Sequence, residues 1–262
     1  MPEITRYPHG TFCWAELSTT DAESAKKFYT QLFGWTYVDS PINENTVYTM
    51  LQWQGKNLCA LYQMDEQKQS QGIPPHWLSY VSVEDADSIA GKVKSLGGRL
   101  LTEPFDVFDI GRMAVIQDPQ GAVFAIWQPK KVIGAQLTGE PPASCWNELA
   151  TTDTESAAQF YTELFGWDQK IQQFGDQPYT LFLTGDHPAA GMYQLNDENM
   201  EILPHWLIYF AVENCDSRVI QAQKLGGEII VEPADIPTVG RFAVLKDPQG
   251  AIFAIIKLEE KS

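Results

Sequence analysis

The stretch CWAELSTTDAESAKKFYTQLFGW at residues 13–35 returns as CWNELATTDTESAAQFYTELFGW at 145–167, an offset of 132. YTML at 48 pairs with YTLF at 179, Gly55 with Gly185, and PHWLSYVSVE at 75 with PHWLIYFAVE at 204, so the offset falls to 131, 130 and then 129. From there LGG, EP, GR and DPQGA (118–122 and 247–251) stay in step. A repeat of this length constrains the fold strongly, because both copies must obey the same series of local rules. Each one-residue slip falls between matched words, where loops and hairpins tolerate deletion. Two homologous halves are expected, 1–130 and 140–262, joined by the Pro-, Gly- and charge-rich linker QPKKVIGAQLTGEPPAS at 128–144. With 262 residues and 44% hydrophobic content, each half can bury a core.

Inside each half the elements follow from local chemistry. TFCWAELSTT (11–20) alternates and is rich in β-formers, which predicts a strand. Thr20 with Glu23, and Thr152 with Glu155, have capping-box spacing and predict a helix start. Ala25, Phe28, Tyr29 and Leu32 form one apolar stripe, Gly34 ends it, and Ala157, Phe160, Tyr161, Leu164 and Gly166 repeat the pattern. Strands are expected near 35–39, 47–53 and 57–63, then HWLSYVSV, a helix from Glu84 and Asp85 to Leu96, and strands near 99–106, 112–117 and 122–127. The two helix starts, Asp21 and Asp85, are 64 residues apart, which superposes Trp14 on Leu78 and Glu16 on Tyr80. The fold class is therefore α+β, with four βαβββ modules, and DPQGA is the turn into the last strand of each half.

Composition removes several functions. Eighteen basic residues against 34 acidic ones give a net charge of −16, which repels nucleic acid and anionic membrane surfaces. The start MPEITRYPHG lacks a signal-peptide pattern, no apolar run of about 18 residues exists, and the cytoplasm is the expected location. Cys13, Cys59, Cys145 and Cys215 lack C-x-x-C spacing and read as reduced, mostly buried thiols.

Paired modules of this order, with FY..LFGW closing the first helix and DP.G..F opening the last strand, resemble the vicinal oxygen chelate superfamily. That group includes glyoxalase I, extradiol dioxygenases and bleomycin-resistance proteins, and the resemblance covers nearly the whole chain. It implies cup-shaped, mainly antiparallel mixed sheets. In the metal-dependent members it also implies a site held by His, His and Glu from the first, fifth and last strands. Carried over by motif, those positions are Trp14, Leu78 and Ala125 in the first half and Trp146, Leu207 and Ala254 in the second. None is a metal ligand, so neither a metal nor another cofactor is expected.

Strand parity marks the remaining candidates. His76 and His205 lie two residues before Leu78 and Leu207, and an imidazole there reads as a hydrogen-bonding rim group, an acid/base group or a metal ligand. His9 and His187 read as surface or loop residues. Glu16 and Glu148 lie two residues past the vacated ligand positions and face the cup, either as one half of a salt bridge, with Arg112 or Arg241, or as a ligand-orienting or proton-transferring carboxylate. Tyr80 and Tyr209 should share their cavity, and Trp14 and Trp146 read as its apolar walls or as plain packing. Catalytic candidates are thus Glu16, His76, Glu148 and His205; ligand-binding candidates add Trp14, Tyr80, Trp146 and Tyr209. A metal-free small-molecule binder of the bleomycin-resistance kind is the first functional expectation. A lyase, isomerase or oxygenase of glyoxalase type, using those acid/base groups or a displaced metal, is the alternative. A small-molecule partner is expected, and a homodimer stays open.

Overall fold

The computed structural model describes residues 3–43, 46–174, 177–196 and 202–259. The first half runs β1 (Phe12–Thr19), α1 (Ala22–Phe33), β2 (Thr36–Asn43), β3 (Thr46–Trp53), β4 (Lys56–Gln63), α2 (Glu66–Ser70), β5 (His76–Ser82), α3 (Ala86–Val93), β6 (Arg99–Val107), β7 (Gly111–Gln117) and β8 (Val123–Pro129). The second runs β9 (Ser144–Thr151), α4 (Thr154–Phe165), β10 (Asp168–Phe174), β11 (Gln177–Thr184), β12 (His187–Gln194), β13 (His205–Ala211), α5 (Cys215–Lys224), β14 (Glu228–Ile236), β15 (Gly240–Lys246) and β16 (Ile252–Leu258). Each half makes one mixed eight-stranded sheet, ordered β2-β3-β4-β1-β5-β8-β7-β6 and β10-β11-β12-β9-β13-β16-β15-β14. Modules therefore pair within a half, through antiparallel β1·β5 and β9·β13. The four-module α+β expectation holds. All four cysteines are free thiols, and no helix among the described residues is long and apolar enough to cross a membrane.

Local expectations need three corrections. The first-helix caps are Asp21 and Asp153, not Thr20 and Thr152: each aspartate is extended and accepts the backbone N–H of Ser24 or Ser156. The second helix ends at Val93, three residues before Leu96. The short α2 was not foreseen, since five residues carry no apolar period.

The larger departure concerns the cores. α1 buries Phe28, Tyr29, Leu32 and Phe33 against its own sheet, at Leu17 and Leu61, and also against Phe210, Val219, Leu245 and Phe253 of the second half. α4 repeats this with Ile89, Ile116 and Phe124 of the first half. Only the smaller cup linings, around Leu78 and Trp127 or Leu207 and Ile256, stay within one half. Each half thus forms its own sheet, while the helix-side cores are shared, against the expectation of one core per half.

The repeated words meet across this interface. Asp247 Oδ1 accepts the backbone N–H groups of Gln249, Gly250 and Ala251, and its Oδ2 accepts the Tyr29 hydroxyl from the other half at 2.9 Å. Tyr29 in turn accepts from Trp77 Nε1 at 3.0 Å. Asp118, Tyr161 and Trp206 form the mate of this chain, at 2.9 Å for each side-chain bond. Gly121 and Gly250 take φ of 113° and 109°, which lets the aspartate reach three successive N–H groups. The LFGW tryptophans add a second tie: Trp35 Nε1 donates to the Pro142 carbonyl and Trp167 Nε1 to the Gly10 carbonyl. A Cβ on Gly10 would lie 2.7 Å from Trp167 Nε1, so the site requires glycine.

Tyr29 and Tyr161 are fully buried. Substituting either with Phe keeps the ring but leaves an aspartate oxygen and an indole N–H unpaired. Each change should cost about 1–3 kcal/mol in urea unfolding, and a stability equal to wild type would show that these bonds do not hold the halves together.

Candidate functional site

The face of each sheet turned away from the shared cores, the expected cup, is set by pairing at its centre. Trp14 stands across from Tyr80, Glu16 from Leu78 and Ser18 from His76, as the superposition of the two modules requires. On the other side Glu16 neighbours Ala60, and Ser18 neighbours Tyr62, which pairs with Tyr48. Trp14, Glu16, Tyr48 and Tyr80 are thereby gathered on one patch. Glu16 accepts from the Tyr80 hydroxyl through Oε1 at 2.6 Å and from the Tyr48 hydroxyl through Oε2 at 2.9 Å. Tyr48 accepts from Trp14 Nε1 at 3.1 Å. The second cup repeats the set: Tyr179 and Tyr209 donate to Glu148 at 2.8 and 2.7 Å, and Trp146 Nε1 donates to Tyr179 at 3.0 Å.

This geometry removes the salt-bridge reading of the glutamates. Arg112 binds Asp87 and Asp106, and Arg241 binds Asp216 and Asp235. Both arginines sit one residue before a cup-lining side chain, Met113 or Phe242, so parity turns them to the opposite face. Each glutamate is held by two phenols. Burial pushes the Glu16 and Glu148 carboxyls above the ordinary value, against the hydrogen bonds of their tyrosines, with Lys68 opposing weakly at Glu16. Burial and the adjacent carboxylate push Tyr48, Tyr80 and Tyr209 well above theirs. Two charge-assisted bonds thus fail to offset desolvation, and the carboxylate is left more basic than in water.

The histidines are half-buried on the same strand face but hydrogen-bond to backbone, not to the glutamates. Nδ1 of His76 meets the Pro74 carbonyl at 2.8 Å and that of His205 the Leu203 carbonyl at 2.9 Å. A carbonyl can only accept, so Nδ1 of each ring donates in this bond. Burial lowers the His76 pKa. His9 is half-buried, accepts the Glu84 N–H and meets the edge of Phe165, while His187 opens β12 and is exposed.

Tyr48 and Tyr179 were missed, although the matched words YTML and YTLF begin with them. The cups are not identical. Where Ala60 lies beside Glu16, Gly191 lies beside Glu148, and a Cβ there would come 1.7 Å from the Tyr179 hydroxyl.

The sequence matches the Glyoxalase/Bleomycin resistance protein/Dioxygenase superfamily over residues 11–126 and 145–255. The chain belongs to that superfamily. It is 41% identical over 260 residues, 98% of each chain, to "Putative glyoxylase CFP32" of Mycobacterium bovis. It is 36% identical to "Anthracycline biosynthesis protein DnrV" of Streptomyces peucetius, covering 98% of this chain and 96% of that one. Among solved structures, the Mn(II)-bound glyoxalase from Novosphingobium aromaticivorans aligns with a TM-score of 0.63 at 16% identity, covering 96% of this chain and 83% of that one. An extradiol ring-cleaving dioxygenase from B. fuscum aligns with 0.65 at 16%, covering 98% and 74%. These structural likenesses carry the fold alone.

The superfamily's metal is not matched by the side chains at the carried-over positions. Tyr80 stands between Trp14 and Ala125, and Tyr209 between Trp146 and Ala254, and the Trp, Leu and Ala side chains offer no lone pair to a metal. Among the described residues no group of three His, Cys, Asp or Glu could hold a metal ion.

The raised carboxyl pKa values set a pH signature. The folded protein holds protons on Glu16 and Glu148 where the unfolded chain has released them, so their contribution is full below the unfolded value and is lost as pH rises through the folded one. Each pH unit of elevation corresponds to about 1.4 kcal/mol. Relative to a Glu16→Gln/Glu148→Gln double variant, wild type should lose thermal stability as pH rises from the ordinary carboxylate range. A difference independent of pH, or one of opposite slope, would contradict this placement.

Proposed function

We propose that each cup binds a small organic molecule without the superfamily's usual metal, using the glutamate and its two tyrosines as the polar anchor. The observation that carries this reading is the same arrangement in both cups: a carboxylate held by two phenols and no ion pair, beside the Trp, Leu and Ala that stand at the positions carried over from the superfamily's ligands. A binding site built this way joins apolar walls with a few convergent polar groups. Each carboxylate oxygen accepts one phenol and can accept a further bond, so the pair suits a ligand that donates N–H or O–H groups. Aromatic surface in the ligand is supported by Trp14 and Trp146 beside those groups, and by the 36% identity to a protein named for anthracycline biosynthesis.

The second reading is an enzyme in which Glu16 or Glu148 accepts a proton from the bound molecule. Its support is the burial-raised carboxyl pKa, which brings a base closer to working pH, and the glyoxylase name of the 41% identical relative.

Elemental analysis together with a thermal-shift screen of aromatic metabolites, with and without a chelator, tests the first reading. The expected result is less than a tenth of a metal ion per cup, melting unchanged by the chelator, and stabilisation by at least one compound. Glu16→Gln should weaken that compound's binding to the first cup by about 1–3 kcal/mol. About one transition metal per cup, lost with stability on chelation, would contradict it. Turnover of the stabilising compound that disappears in the Gln variants would establish the second reading.

A further inference from the structure

Outside the cups, a cleft of about 370 Å³ lies between the two halves. Its walls come from equivalent segments: Phe12, Cys13 and Trp14 lead into one central strand, and Ser144, Cys145 and Trp146 into the other. The preceding segments complete it, with Arg6 and Tyr7 from the first half and their repeat equivalents, Thr138 and Gly139, from the second. The cleft is thus pseudo-symmetric in backbone origin, and its symmetry is broken by chemistry at particular positions.

Two of those breaks point to a ligand. Arg6 is the one charged residue lining the cleft; it is exposed, and among the described residues it enters no ion pair. In a chain of net charge −16 an unpaired guanidinium at the mouth of a cavity is a local anion site on an anion-repelling surface. The second break is Asn147, 8% exposed, whose equivalent in the first half is Ala15. Its Oδ1 accepts from Ser79 at 2.6 Å, and its amide nitrogen hydrogen-bonds no described residue while the side chain lines the cleft. That nitrogen keeps solvent access, so its N–H groups are open to an acceptor placed in the cleft. Between these polar points lie Phe12, Ile208 and the two tryptophans, and the volume falls within the range of small-molecule sites.

We propose that this cleft is a second binding site, distinct from the cups, for a planar aromatic anion such as an aromatic carboxylate or sulfonate. The anionic group pairs with Arg6, the ring lies between the Trp14 and Trp146 sides, and a polar substituent accepts from Asn147. Trp14 and Trp146 also donate to Tyr48 and Tyr179, so an occupant would touch the residues that support both cup carboxylates.

The probe is 8-anilinonaphthalene-1-sulfonate, with the neutral N-phenyl-1-naphthylamine as its uncharged counterpart, each titrated by fluorescence into the full chain. The sulfonate should saturate at one per chain. Arg6→Gln, at an exposed position, should weaken it about tenfold or more and the neutral dye less than twofold. Thr138→Trp, which fills the cleft, should abolish binding of both, and Glu16→Gln/Glu148→Gln should leave sulfonate affinity within twofold. No saturable binding in wild type, equal affinity of wild type and Arg6→Gln for the sulfonate, binding retained by folded Thr138→Trp, or loss in the glutamate variants, which would put the dye in the cups, would each overturn the proposal.

Discussion

The bond from a helix tyrosine of one half to the turn aspartate of the other organises the molecule. Asp118 and Asp247 are buried, and burial pushes their carboxyls above the ordinary value even with three backbone donors and a phenol in place. Such a group is tolerated only if every oxygen is used, which fixes the turn, the tyrosine rotamer and the tryptophan behind it together. Because the two chains of bonds are reciprocal, each half supplies what the other's last turn requires. α1 and α4 are consequently held against both sheets, and the opposite sheet faces are left to carry the glutamates and their tyrosines.

That arrangement explains how the cups could change chemistry without changing fold. The cup floor rests on the central strand pairs β1·β5 and β9·β13, whose outer faces are locked into shared cores by residues such as Leu17, Trp77, Leu149 and Trp206. Inner-face positions then vary within a fixed frame. Trp, Leu and Ala stand at the positions that the resemblance assigns to metal ligands, and a carboxylate with two phenol donors stands one strand step away. Phenols stabilise the anion less than an ion would, and desolvation wins, so the residue left behind is a basic carboxyl in apolar surroundings.

Much of this was legible in the chain. The repeat defines the modules, and the 64-residue spacing alone puts Glu16 and Tyr80 at equivalent positions. DPQGA was readable as a turn, because Gly and Asp have local reasons to be there. The partner of Asp118 was not readable, since Tyr161 comes from the other half and its place in an apolar stripe concealed the hydroxyl's use. Tyr48 stands in a matched word, but it lies 32 residues from Glu16, and only the β3·β4 and β4·β1 pairings bring the two together. The salt bridge to Arg112 failed on parity alone: Met113 lines the cup, so its neighbour faces away. Linker position did not reveal that the helix-side cores are shared, because helical periodicity says which face is buried and not by what.

The central claim is that each cup holds a carboxylate kept by tyrosines, rather than by an ion pair, in a desolvated place. Carbon-13 NMR titration of protein labelled at glutamate side-chain carboxyls measures this directly, with Glu16→Gln and Glu148→Gln assigning the two signals. The account predicts that these two carboxyls titrate above the ordinary value of about 4.3 while exposed glutamates remain near it. Titration of both at or below that value would place a cation or full solvent beside them and contradict the account.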